Sequence, residues 1–277
     1  MILFLKDSCK ILQKKIKECK RIVQDDDFCR FYCQEKEQHS FQVLSAGEYI
    51  LKKLPDSFDE EKKNLYLSGA LLHDIGRFKE IRFLLKDKSL KYDHGRLGKE
   101  ELEDLGIGDK IFHLAVLHHG HQLDDFYKDT DYLVLDDEDK KSAEALLFFI
   151  RDSDKIANLK LFVDRPDIGK MDEVYFPRTG KIAEEVVKSY QQMRCSDYRL
   201  LKGVEDWFFA RVSWIFELHY HPSFEFIRQY DLIRRHLDFM KDYTDDLNFL
   251  KFCEEQLNIY IEKQEMDKIL DKTTFFR

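Results

Sequence analysis

Turn-forming residues are scarce in this chain: eleven glycines and four prolines among 277 residues, about 5% where ordinary usage runs near 12%. Sandwiches, barrels and flexible linkers need such residues at short intervals, so a chain this poor in them is directed to long helices and an all-α fold. The exceptions are gathered. Seven of the eleven glycines (69, 76, 95, 98, 106, 108 and 120) fall within 52 residues, and six of the ten histidines (73, 94, 113, 118, 119 and 121) lie between 73 and 121.

Helical stripes run along most of the sequence. Ile11, Leu12, Ile16, Cys19 and Val23 form one, ending near Asp25-Asp26-Asp27; Val43, Ala46, Gly47, Ile50 and Leu54 form a second that stops at Pro55. Leu67, Ala70 and Leu71 make a third, closed by Gly76. Gly98 to Leu105 is a short helix, and Ile111, Leu114 and Ala115 mark another that Gly120 closes. An unbroken face follows from Lys141 to about Val163. The segment 166–180, with Pro166, Gly169, Pro177 and Gly180, is the expected connection between a domain at 1–165 and a helical extension at 181–277. That extension has four helical patterns, roughly 181–194, 200–219, 224–241 and 246–271, with Pro222 between the middle two, and is expected to pack on the core. Its dense aromatics, among them Trp207, Phe208, Phe209, Trp214, Phe216 and Phe224, suit a core or a homodimer interface, or else a wall for substrate.

Composition excludes several classes of function. Hydrophobic residues at 43% suffice for a sizeable core, yet apolar runs such as Ala145 to Ile150 are far short of the ~20 residues of a membrane span. Lys6 and Asp7 end the apolar start too soon for a signal-peptide core, so the expectation is a cytoplasmic protein without a membrane partner. Six scattered cysteines (9, 19, 29, 33, 195 and 253) read as reduced structural thiols; Cys29 and Cys33 have the spacing of half a zinc site, but no second pair completes it. A net charge of −8 with no basic run argues against nonspecific nucleic-acid binding, which needs Lys and Arg against phosphates. A small phosphorylated substrate would need local positive charge, and a metal is one source of it. Eight acids between 124 and 139, against Lys128, read as a solvated loop or a lid that repels the wrong anions.

The chemistry is concentrated where polar residues occupy apolar stripes. His39 lies on the face of Val43, Ala46 and Ile50; Asp74 on that of Leu67, Ala70 and Leu71; His118 on that of Ile111, Leu114 and Ala115; Asp154 sits between Ile150 and Leu161. An unpaired buried carboxylate costs several kcal/mol. These faces offer few inward Arg or Lys, so one or two divalent cations would satisfy all of these groups together.

The order His39, His73-Asp74, His94, His118-His119, Asp154 resembles the HD superfamily of metal-dependent phosphohydrolases, named for its adjacent His-Asp pair. Leu71-Leu72-His73-Asp74-Ile75-Gly76-Arg77 is similar to its His-Asp-Ile-Gly element, Asp93-His94-Gly95-Arg96-Leu97-Gly98 to its third histidine motif, and Arg151-Asp152-Ser153-Asp154-Lys155 to its closing motif. The resemblance covers roughly residues 30–165. It implies an all-α HD core with a C-terminal helical extension, in which His39, His73, Asp74 and Asp154 hold one metal while His94 and His118, with Asp74 as bridge, hold a second. His119 would lie behind the ligands, with Asp93 and Asp152 orienting imidazoles, and His113 and His121 would be surface or structural. Such a ligand set suits Mn2+, Fe2+, Ni2+, Zn2+ or Co2+, with Mg2+ admissible. Arg77 and Lys155 are the candidates for holding phosphate oxygens. Hydrolysis of phosphate esters is the leading expectation; a di-iron oxygenase acting on a polyol or phosphonate, and a non-catalytic metal-binding sensor, remain open.

Overall fold

The computed structural model describes residues 4–54, 58–87, 92–165, 167 and 176–270, the last five for backbone alone. Every element among them is helical. They divide into two compact units, Met1–Ala157 and Asn158–Arg277. Pro55, Pro166, Gly169 and most of the expected connecting segment lie outside the described residues.

In the first unit, α1 (Leu5–Ile22) and α2 (Asp27–Lys53) are followed by α3 (Glu60–Leu72), α4 (Ile75–Leu84), α5 (His94–Asp104) and α6 (Lys110–His118). Two short helices, α7 (Leu123–Tyr127) and α8 (Thr130–Leu133), lead to the long α9 (Asp137–Asp164), whose last residues fall in the second unit. Aspartates start these helices: Asp26, Asp59, Asp93 and Asp109 each accept a hydrogen bond from the backbone amide three residues on, filling donors that a helix N-terminus leaves orphaned. The acidic stretch is therefore not a loop. It forms α7, α8 and the first turn of α9, and Asp131 pairs with Lys99 at 3.0 Å and Lys110 at 3.5 Å.

The apolar stripes do what their spacing requires. Leu12, Ile16, Val43, Ile50, Leu71, Leu72, Ile75, Phe112, Phe149 and Ile150 are buried in one core, and Ser8 on α1 donates to Ser68 on α3 at 2.8 Å. Glycines serve close packing here more than helix termination. Gly76 does not end a helix; it is the second residue of α4, and a Cβ there would overlap the carbonyl oxygen of His94 and the amide of Gly98. Gly95 is equally confined by the carbonyl of Leu117. These contacts bring α4, α5 and α6 together backbone to backbone, the close approach only glycine permits.

The second unit contains α10 (Glu184–Gln191), α11 (Val204–Val212), α12 (His221–Gln229), α13 (Leu232–Met240) and α14 (Leu247–Leu270), with 3-10 turns at Tyr198–Leu200 and Ser213–Glu217. The pattern read as one helix over 224–241 is two, because Asp231 adopts φ 51 between them. Pro222 sits in the first turn of α12, where its missing amide costs nothing. The aromatics form a core: Phe208, Phe209, Phe216 and Phe224 are buried, and the Tyr190 hydroxyl donates to the Phe209 carbonyl at 2.9 Å. His236, also buried, lies flat on Phe162 at 5.1 Å and hydrogen-bonds the Leu159 carbonyl through Nε2 at 2.8 Å. Its burial pushes the imidazole pKa down to about 3.

Two outcomes follow. Gly76→Ala will destabilise the first unit by about 3 kcal/mol or more, the upper range of overpacking because the obstructing atoms are backbone, read by chemical denaturation. For His236 the native pKa lies below the unfolded value, so the unfolded chain binds the extra proton. Stability is then complete above pH ~6.5 and falls by about 1.4 kcal/mol per pH unit on acidification toward 3. His236→Phe, which can keep the stack on Phe162, will flatten denaturation midpoints between pH 7 and 5.

Candidate metal centre

Six helices of the first unit supply the cluster, with α5 bringing His94 and the end of α6 His119. α2 carries His39, whose inward direction is set by the Val43, Ala46 and Ile50 stripe. α3 ends at His73, and Asp74 occupies the N-cap position of α4 with φ −100 and ψ 17. Unlike Asp26, Asp59, Asp93 and Asp109, Asp74 makes no cap hydrogen bond with its side chain. The break in the helix path lets His73 and Asp74 reach one place, and the α4 N-terminus favours negative charge there. Asp154 comes from α9.

On one side of Asp74 stand His39, His73 and Asp154. His39 Nε2 is 2.8 Å from Asp154 Oδ1 and 3.9 Å from Asp74 Oδ2; His73 Nε2 is 3.5 Å and 3.8 Å from the same two atoms. On the other side, Asp74 Oδ1 lies 3.5 Å from both His94 Nε2 and His119 Nε2, and those two nitrogens are 3.2 Å apart. In each of the groups His39–His73–Asp74 and Asp74–His94–His119 the ligand atoms all lie within 4.8 Å of one another.

The second group differs from the expected one. His118 Nε2 is held at 2.8 Å by Asp129 Oδ2, outside the cluster, and His119 takes the place expected of it. The physical reason is that α6 stops at His118. His119 is its C-cap and turns toward Asp74, while the chain returning through α7 brings Asp129 to His118.

Two of the imidazoles are oriented through Nδ1. His73 Nδ1 and His119 Nδ1 each donate to a backbone carbonyl, Ala70 at 2.8 Å and Val116 at 2.7 Å, which leaves Nε2 of each ring to face Asp74. His73 Nε2 is buried without a hydrogen-bond donor, among carboxylate oxygens. Burial keeps His119 neutral and holds His94 well below the usual imidazole range, with Arg77 adding to the effect on His94. The Nε2 atoms of His94 and His119 lie 3.2 Å apart, where either one ring donates to the other or both accept one cation. These donor sets fit divalent transition metals.

Residues 37–159 match the family model of the HD domain. This segment is an HD domain. HD domains are generally metal-dependent phosphohydrolases that bind divalent metals. No curated protein and no solved structure matches the chain. Among the described residues no helix is long and apolar enough to cross a membrane.

Two cations reach Asp74 at the heart of the HD domain: Arg77, expected from the sequence to hold phosphate oxygens, and Lys36, which went unseen there. Lys36 Nζ donates to Asp74 Oδ2 at 3.1 Å, and Arg77 Nε reaches Asp74 Oδ1 at 3.4 Å. The inward faces are thus not short of positive charge, and Asp74 has partners before any metal arrives. Lys36 stands three residues before His39 on the same helical face, a spacing that does not by itself separate it from surface charge. Arg77 also donates to Glu80 at 2.9 Å and approaches His94 Nε2 at 3.3 Å through Nη2. Arg151, buried on α9, donates through Nη1 to the carbonyls of His118, His119 and His121, fixing the turn that aims His119.

The remaining candidates sit further out. Lys155 is buried beside Asp154, about 100° round α9 from it. Asp152 is fully buried and, two residues before Asp154, leaves α9 about 200° round from it. Asp93 starts α5 and accepts from His121 Nε2 at 3.1 Å; it positions the helix bearing His94 rather than the His94 ring. His113 bonds the Ile107 carbonyl at 2.7 Å, a structural contact.

This geometry separates two neighbouring histidines experimentally. Elemental analysis after metal loading will find His119→Ala depleted of one metal equivalent relative to the parent, whereas His118→Ala keeps the parent's content. The reverse pattern would restore His118 to the ligand set.

Proposed function

We propose that the HD domain hydrolyses phosphate esters of a small molecule or nucleotide, as a phosphomonoesterase or phosphodiesterase, with one or two divalent transition metals. The observation that supports this most is a shared carboxylate, Asp74, with imidazole groups on both oxygens and two cations, Lys36 and Arg77, at its edge. Bound metals would supply Lewis acidity, acidifying water and neutralising charge on phosphoryl oxygens. His39, His73, Asp74 and Asp154 would hold the first; Asp74, His94 and His119 the second.

The protein's own groups do the rest. Burial alone would raise the Asp74 pKa, but Lys36 and Arg77 hold the carboxyl well below the usual carboxylate range, so it is ionised and accepts only. Asp154 is likewise depressed against its burial, by the His39 Nε2 contact at 2.8 Å and the His73 ring beside it. Neither can serve as a proton donor near neutral pH. Glu80 anchors one end of the Arg77 guanidinium, and its Nε and Nη2 stay directed at Asp74 and His94, where an anionic substrate would approach.

The test is a substrate screen on protein stripped of metal and reloaded with Mn2+, Ni2+ or Fe2+. Turnover of p-nitrophenyl phosphate or its bis ester is expected with at least one metal, and Asp74→Ala will lose both metal and turnover while retaining helical content. O2 consumption by the iron-loaded protein with a polyol or phosphonate, without ester turnover, would instead make it an oxygenase. Failure with every metal and both substrate types would leave a sensor.

A further inference from the structure

Lys36 is one of two cations that stand where a metal on Asp74 would bring further positive charge. Its ammonium sits 3.1 Å from Asp74 Oδ2, the oxygen that faces His39 and His73. Arg77 stands on the other oxygen, the one facing His94 and His119. Each cation therefore supplies positive charge at a carboxylate oxygen that a metal would bind, and competes with the metal for the carboxylate's charge. Lys36 and Arg77 stand against three carboxylates, Asp74, Asp154 and Glu80, the last engaged by Arg77.

The two cations are not equally free to leave. Arg77 is tied to Glu80 at 2.9 Å as well as to Asp74. Lys36 is bound to Asp74 alone among the carboxylates it is seen to pair with, its side chain is 19% exposed, and its ammonium lies 5.7 Å from the Tyr32 ring. Its four-carbon stem can carry the charge several ångströms without moving α2. A divalent ion on Asp74 Oδ2 removes the lysine's partner and repels it, while leaving the site strongly positive.

We propose that Lys36 is a built-in placeholder for the metal at Asp74, released on metal binding to become a ligand for an oxyanion of the substrate. Anion binding at the centre is then conditional on metal, because the same event frees Lys36 and adds the ion's charge. The metal half stands on the Asp74 geometry alone; the anion half rests on the reading of the centre as a phosphate-ester site.

The two halves require opposite effects from one substitution. In Lys36→Met, with Lys36→Gln as the second variant and thermal unfolding to confirm the fold, Mn2+ titrated calorimetrically into the metal-free protein will bind roughly tenfold more tightly, since the competing charge-assisted bond is gone. Inorganic phosphate titrated into the Mn2+-loaded variant will bind roughly tenfold more weakly than to the loaded parent. A purely structural lysine would weaken both together. In the unmutated protein, acylation of Lys36 by an amine-reactive reagent, followed by peptide mass spectrometry, will rise when Mn2+ is added and fall again with phosphate. Unchanged or weaker Mn2+ binding in a folded variant, or acylation indifferent to Mn2+, overturns the placeholder. Unchanged phosphate binding in the loaded variants overturns the anion role. If the loaded parent binds no phosphate at all, the phosphate-ester reading fails, while the Mn2+ comparison still decides the metal half.

Discussion

The arrangement of the first unit depends on one carboxylate. Asp74 is buried at the junction of α3 and α4, and its two oxygens face two sets of imidazoles that belong to different helices. A buried carboxylate needs compensation on both oxygens. Here it comes from Lys36 and Arg77 and from the N-terminus of α4, so the protein holds an ionised group in a closed core without exposing it. The helix that Asp74 begins would ordinarily use that side chain as its cap. Releasing it costs α4 one hydrogen bond and gives the cluster its central member.

Close glycine contacts make this possible. α5 can deliver His94 to Asp74 only because Gly76 and Gly98 let two backbones meet, and α6 passes α5 at Gly95 for the same reason. At the far end of α6, Arg151 gathers three carbonyls from the turn that carries His119. The scarce glycines are thus at the places where helices must touch. Their clustering with histidines in the sequence has this cause: a centre assembled from helix ends needs those ends close together.

Fold class was legible from the scarcity of turn residues, and the apolar stripes located most helices. Element ends were not. The break at Asp231 depends on a left-handed conformation that no local signal announced, and the start of α2 at Asp27 precedes its apolar stripe by more than three turns. Within the centre, His39, His73, Asp74, His94 and Asp154 were readable from motif order. His118 was expected as the ligand with His119 behind it, because the stripe of Ile111, Leu114 and Ala115 puts His118 inward but cannot tell which inward group it meets. Its partner, Asp129, arrives from another helix through a turn that periodicity does not describe. Lys36 was missed for the opposite reason. A lysine three residues from a histidine is locally indistinguishable from surface charge, and only the packing of α2 against α4 turns it inward.

Anomalous diffraction at a metal absorption edge, on crystals grown with Mn2+ or Fe2+, tests the central claim most directly. The account predicts metal density against Asp74, with His39, His73 and Asp154 around one position and, where a second is filled, His94 and His119 around the other. Density between His118 and Asp129 with none at Asp74 would contradict it.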